Sequence, residues 1–175
     1  MEQARQGWRV KVLVSLVQIA TLYRRFCGIH YVRAHMPKAV IPAAHTELAA
    51  LSMLELHRLA DGLLQPEPWV VERCVEFVLA ETQGLWHGRA RAMMCRRLKH
   101  CTLGRTHRTQ LVACITGRLT SGLFSEQFKD QLRLALHLDL QQTIAACQKA
   151  LGSNKPHVQR YAAWALLPEH VQNAL

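Results

Sequence analysis

The sequence predicts an all-α domain of seven or eight antiparallel helices. Three observations carry that expectation. Leu, Ala, Val and Met are plentiful while aromatic residues make up only 6% of the chain, a composition that favours helices over a β-sandwich. Turn signals built from Gly, Pro, Ser and Asn recur at short intervals. No segment alternates cleanly between apolar and polar residues, as a half-buried strand would. At 175 residues and 50% hydrophobic content, the chain suits a single domain with a sizeable core.

The elements follow in order. Residues 4–26 read as a first helix, because Trp8, Val12, Leu16, Ile19, Tyr23 and Phe26 share one side and Lys11, Ser15, Gln18 and Arg25 the other. A core-facing helix is the plain reading; a membrane-surface helix is its rival. Residues 27–44, with Gly28, Pro37 and Pro42, read as a connection. Thr46 looks like the N-cap of a helix through Asp61, closed by Gly62. Pro68 opens the next, through about Thr82, with Trp69, Val70, Cys74, Val75, Val78 and Leu79 as its apolar set. A helix over 89–100 places Met94, Cys95 and Leu98 toward a core. Helices near 107–121, 126–138, 140–151 and 156–167 follow, separated by SGLFS, by His137–Asp139 and by GSNKP. PEHVQNAL adds a short final turn.

Charge is sorted into blocks along this chain. Residues 3–46 carry seven Lys/Arg and no acid, residues 47–81 seven acids against Arg58 and Arg73, and residues 82–125 eight Lys/Arg and no acid. The formal net charge is +10. Sorting of this kind gives a protein faces of opposite potential, and such faces suit partners. The strongest candidate is the helix over 89–100, where Arg89, Arg96, Arg97, Lys99 and His100 fall within an arc of about 160°. Trp86 joins the arc if the helix starts early, and Arg105 and Arg108 extend it into the following loop. Such a face suits an acidic protein, with electrostatics setting the encounter rate, or the phosphates of a nucleic acid. The plain alternative is a solvated face partly neutralised by the acidic helices before it. Arg91 points instead to the apolar side, where a buried guanidinium calls for a carboxylate, with Glu76 or Glu81 nearest in sequence.

Other chemistries find little support. The six cysteines match no disulfide scaffold and read as reduced, mostly core thiols. Cys95, His100 and Cys101 cluster, but without a zinc-site spacing. There is no phosphate loop, no nucleophile elbow and no paired-carboxylate motif, so neither an enzyme nor a cofactor or metal site is expected. Cys101, beside His100 and basic side chains, is the one thiol whose pKa those neighbours would lower. No run reaches the length of a membrane span. The compartment suggested is the cytoplasm, with the mitochondrial matrix as the alternative if the acid-free N-terminus is a transit peptide.

The second half also looks internally repeated. Val158, Ala162, Ala165 and Leu166 fall 30 residues after Phe128, Leu132, Ala135 and Leu136, with Ala90, Met94 and Leu98 as weaker counterparts. With Leu151, the turn at Pro156, Val158 and the run Tyr161-Ala162-Ala163-Trp164-Ala165-Leu166, this half resembles a HEAT-like α-helical repeat; an irregular helical bundle is the competing architecture. The resemblance implies stacked hairpins and a partner-binding surface. Together these readings point to a non-catalytic adaptor that docks an acidic protein on the basic helix face, with nucleic-acid binding through the same face as the alternative.

Overall fold

A computed structural model describes residues 46–172, and the account below is confined to them; the expected helix over 4–26 and the connection over 27–44 lie outside the described residues. Those described are helical throughout, with no strand among them. The helices are α1 (Met53–Gly62), α2 (Pro68–Leu79), α3 (His87–Leu98), α4 (Arg105–Ser121), α5 (Lys129–Leu138), α6 (Leu140–Leu151), α7 (Pro156–Ala165) and the short α8 (Pro168–Gln172), with a 3-10 turn at Glu126–Phe128 before α5.

The packing has a simple rule. Odd helices touch odd helices: α1 packs on α3, α3 on α5 and α5 on α7. Even helices likewise pack α2 on α4 and α4 on α6. Consecutive helices from α1 to α7 pack on one another except across the α3–α4 loop, and α4 also touches α7. One continuous core joins them, with Phe77, Met94, Leu98, Leu111, Ile115, Phe128, Leu132 and Leu134 among its fully buried members. The positions matched at a spacing of 30 residues fall on α5 with the 3-10 turn before it and on α7 with its C-cap Leu166, and the weaker counterparts on α3, so all three sets belong to the odd layer. All are buried except Leu166, which is partly so.

Several boundaries depart from the sequence expectation. The helix expected over 46–61 is broken at residues 50–52. Ser52, not Thr46, starts α1: its hydroxyl accepts the Glu55 N–H, and the Glu55 carboxylate accepts the Ser52 N–H at 2.7 Å. That reciprocal pair is a capping box, readable in Ser52-Met-Leu-Glu55. Helix α2 stops at Leu79, because Ala80 is extended and the carbonyls there take side-chain donors. Helix α3 runs from His87 to Leu98 rather than 89 to 100. Helix α4 begins two residues early and ends at Gly122, whose φ of 71° is left-handed and favours glycine. A Cβ at Gly122 would also meet Lys155 and Val158 at 2.9 Å. The helix expected over 126–138 starts as the 3-10 turn, where Gln127 departs from helical geometry.

Trp69, expected in the core set of α2, is instead 64% exposed and donates its indole N–H to Glu67 at 2.6 Å. Phe77 and Val71 are buried in that helix. Among the described residues all five cysteines are free, and no helix is long and apolar enough to cross a membrane.

Candidate functional site

The structure divides the expected basic face into three parts. The first lies along the odd layer. Arg97 reaches from α3 to Asp61 of α1 at 2.7 Å, and Arg96 reaches from α3 to Asp130 of α5 at 3.6 Å. Asp130 also holds Arg133 at 3.0 Å, and the Arg133 guanidinium and the Lys129 ammonium each lie 5.1 Å from the Trp164 ring of α7. Polar contacts thus run helix to helix, α1 to α3 to α5 to α7. Arg96 and Arg97 act as ties between stacked helices, although both sit on the arc that the sequence marks for a partner.

The second part is the start of α3. Arg89 is exposed and its guanidinium lies 5.4 Å from the Trp86 ring. Trp86 is half-buried against the core. These two residues are separated from Lys99 by the length of the helix, about 15 Å from Arg89 at 1.5 Å per residue.

The third part is the opposite edge, where the α3–α4 loop meets the α5–α6 turn. Lys99 and His100 follow α3, and Arg105 and Arg108 open α4. His137, near the end of α5, faces Lys99, Arg108 and His100: its pKa lies below the ordinary imidazole value because of burial first, and those three cations next. No local pattern marks His137 for this cluster, since it joins only through packing. Arg108 donates to the carbonyl of Leu138 at 2.7 Å. It thereby caps the C-terminus of α5, where the helix dipole favours positive charge. Arg105 and Arg108 share a cavity of about 350 Å³ with Asp139 and Gln142. Asp139 is the acid of this edge, and its carboxylate accepts the Gln142 N–H at 2.9 Å as the N-cap of α6. Among the described residues Lys99, His100 and Arg105 form no ion pair.

Arg91 is buried as expected, but it does not meet a carboxylate. Its Nη2 donates to the carbonyls of Ala80 and Thr82 and to the Thr82 hydroxyl, at 3.0, 3.2 and 3.0 Å. Neither Glu76 nor Glu81 accepts from it: Glu76 pairs with Arg73 at 3.1 Å. Arg118 joins Arg91 at the same place. It donates to the carbonyls of Val78, Leu79 and Ala80 at 2.7, 3.1 and 3.1 Å, and to the Gln131 side chain at 3.0 Å. Two buried guanidinium groups therefore cap the C-terminus of α2. The device recurs at α4, whose terminal carbonyls at Ser121 and Gly122 meet Lys155 Nζ at 2.6 Å and His157 at 3.1 Å.

The thiols are poor nucleophiles. Burial pushes Cys74 up to about 12 and Cys147 up to about 11, and raises Cys95, Cys101 and Cys114 as well. For Cys101 this reverses the lowering that its basic sequence neighbours suggest: burial governs it. A protonated thiol neither attacks an electrophile nor ligates a metal readily. Among the described residues no three His, Cys, Asp or Glu side chains group as metal ligands.

No protein-family model matches the chain, and the comparisons with curated proteins and with solved structures each found no match.

Proposed function

We propose that the chain is a non-catalytic docking module, built of HEAT-like helical hairpins, that holds an acidic protein partner on the basic edge formed by Lys99, His100, Arg105, Arg108 and His137. The observation that carries the reading is the convergence of these five side chains from three segments while Arg96 and Arg97 are tied to Asp130 and Asp61. Among the described residues three of the five form no ion pair, and Arg108 is anchored through a carbonyl. Exposed cations that have no internal partner raise the on-rate for an acidic surface and supply little to folding. The odd-to-odd and even-to-even packing supports the hairpin-repeat reading, because each hairpin of such an array contacts chiefly its neighbours. The patch is compact rather than a long stripe, which favours a cluster of acidic side chains over the evenly spaced phosphates of a nucleic acid.

Fluorescence anisotropy with a labelled Glu/Asp-rich peptide tests this. Binding is expected for the full chain and should weaken roughly tenfold or more in the Lys99→Glu/Arg105→Glu variant. Arg89→Glu, at the far end of α3, should change it little. A labelled oligonucleotide that binds more tightly than the peptide, with a steep loss as salt rises, would replace the protein reading with the nucleic-acid one. If neither probe binds at low salt, the docking function fails.

A further inference from the structure

The far end of the hairpins holds a cavity of about 530 Å³, walled by Arg91, Arg118, His87, Gln131, Glu81 and Phe124. We infer that this cavity binds a small molecule through an oxyanion, a phosphate or carboxylate group. Three features of the wall point to it.

The first is charge without a matching carboxylate. Arg91 is 8% exposed and Arg118 9%, and among the described residues neither forms an ion pair. Their partners are carbonyls, one amide and one hydroxyl. The end of a helix supplies roughly half a negative charge, too little to balance two guanidinium groups. Arg118 also raises the cost of charging Arg91. The Arg91 pKa falls to about 10 through burial first and Arg118 second. Glu81 stands on the rim, exposed, and only weakly offsets the pair.

The second is spare donor capacity. Arg91 uses Nη2 for all its hydrogen bonds, and among the described residues its buried Nε has no acceptor. The His87 ring beside it interacts with the backbone of Leu51 and Thr82, so the spare capacity lies with Arg91. His87 is 5% exposed, and Gly84 gives its ring room: a Cβ there would come within 2.8 Å. Buried donors without acceptors are uncommon and costly, and an anion able to draw them inward would satisfy them.

The third is size and rim. The volume suits a small organic molecule rather than a bare ion. Leu123 on the cavity wall is 75% exposed, and Leu85 beside it is 92% exposed. Apolar contacts are thus available for the remainder of such a ligand, with the anionic group directed to the arginines.

Thermal unfolding of the full chain tests the inference, with inorganic phosphate and acetate each compared with chloride at matched ionic strength. A probe at about ten times its Kd should raise Tm by roughly 3–6 °C. The probe that acts identifies the class of anion. Location is read by NMR: His87 and the Gln131 amide should shift on titration, and the His87 pKa should rise when the anion neutralises its neighbours. Arg91→Lys keeps a cation but removes the planar fork, and should reduce the Tm response while His87 still reports on the fold. If Arg91 and Arg118 are only helix caps, neither anion will raise Tm beyond chloride, and the inference is overturned. It is equally overturned if the shifts fall on His100 and His137 while His87 stays still, because the anion is then held by the basic edge.

Discussion

The two ends of the hairpins use the same residue types in opposite ways. At one end Arg91 and Arg118 are buried and directed at backbone carbonyls of the α2 terminus. At the other, Lys99, His100 and Arg105 form no ion pair among the described residues, and His100 and Arg105 are exposed. Both groups come from one acid-free block, residues 82–125. The difference teaches that excess positive charge need not be balanced by acids alone. Helix C-termini, each a partial negative charge, take up part of it. Arg91 and Arg118 serve α2, Arg108 serves α5, and Lys155 with His157 serves α4. What remains after folding has used the rest is the surface proposed for a partner.

The largest expected effect tests the buried end. Arg118→Ala leaves the carbonyl of Val78 without its side-chain donor, leaves that of Leu79 with only the weak Cys114 thiol donor, and strands the Gln131 amide oxygen. Each orphaned buried group costs about 1–3 kcal/mol, so urea unfolding should show a loss of roughly 3 kcal/mol or more. A loss below about 1 kcal/mol would mean that water replaces the cap, and the contrast between the ends would collapse. The ties of the odd layer come next. Arg97→Ala breaks the pair with Asp61, whose members are both partly exposed, and should cost about 0.5–1 kcal/mol by the same measurement. At the exposed edge, Lys99→Gln with Arg105→Gln should leave stability within about 0.5 kcal/mol of the parent, although the same pair of positions governs peptide binding.

The contrast was only partly legible in the sequence. Helical periodicity and Gly/Pro punctuation located the helices, because those signals are local. The core positions of the odd layer, from Ala90 to Ala165, followed from the same spacing. The capping box at Ser52 was present in the sequence but masked by Thr46, another N-cap residue type six residues earlier. Trp69 was misassigned because a wheel does not show which residue of a first turn faces the core: Val70 and Val71 are buried there, while the Trp69 indole turns out to Glu67. The arginine caps were not legible at all. Arg118 meets carbonyls about 40 positions earlier, and no local pattern marks a carbonyl that a distant side chain will reach. For the same reason the arc from Arg89 to His100 read as one surface. Its two middle arginines meet Asp61 and Asp130 only after α1, α3 and α5 are stacked.

The smallest expected effect bears on both ends at once. His87 and His137 each have a pKa below the ordinary value of 6.5, through burial first and through neighbouring cations second: Arg91 for His87, and Lys99, Arg108 and His100 for His137. Between 6.5 and each lowered folded value the unfolded chain binds more protons than the native one. The stability that these histidines contribute is therefore fully present above pH 6.5 and is lost as pH falls through their folded pKa values. Denaturant midpoints should fall modestly from pH 7 to pH 5. Lys99→Gln should raise the NMR pKa of His137 and leave that of His87 unchanged, because Lys99 acts at one end only. A parallel rise at both histidines would show that net charge sets these pKa values, and would remove the distinction between a buried arginine end and an exposed basic edge.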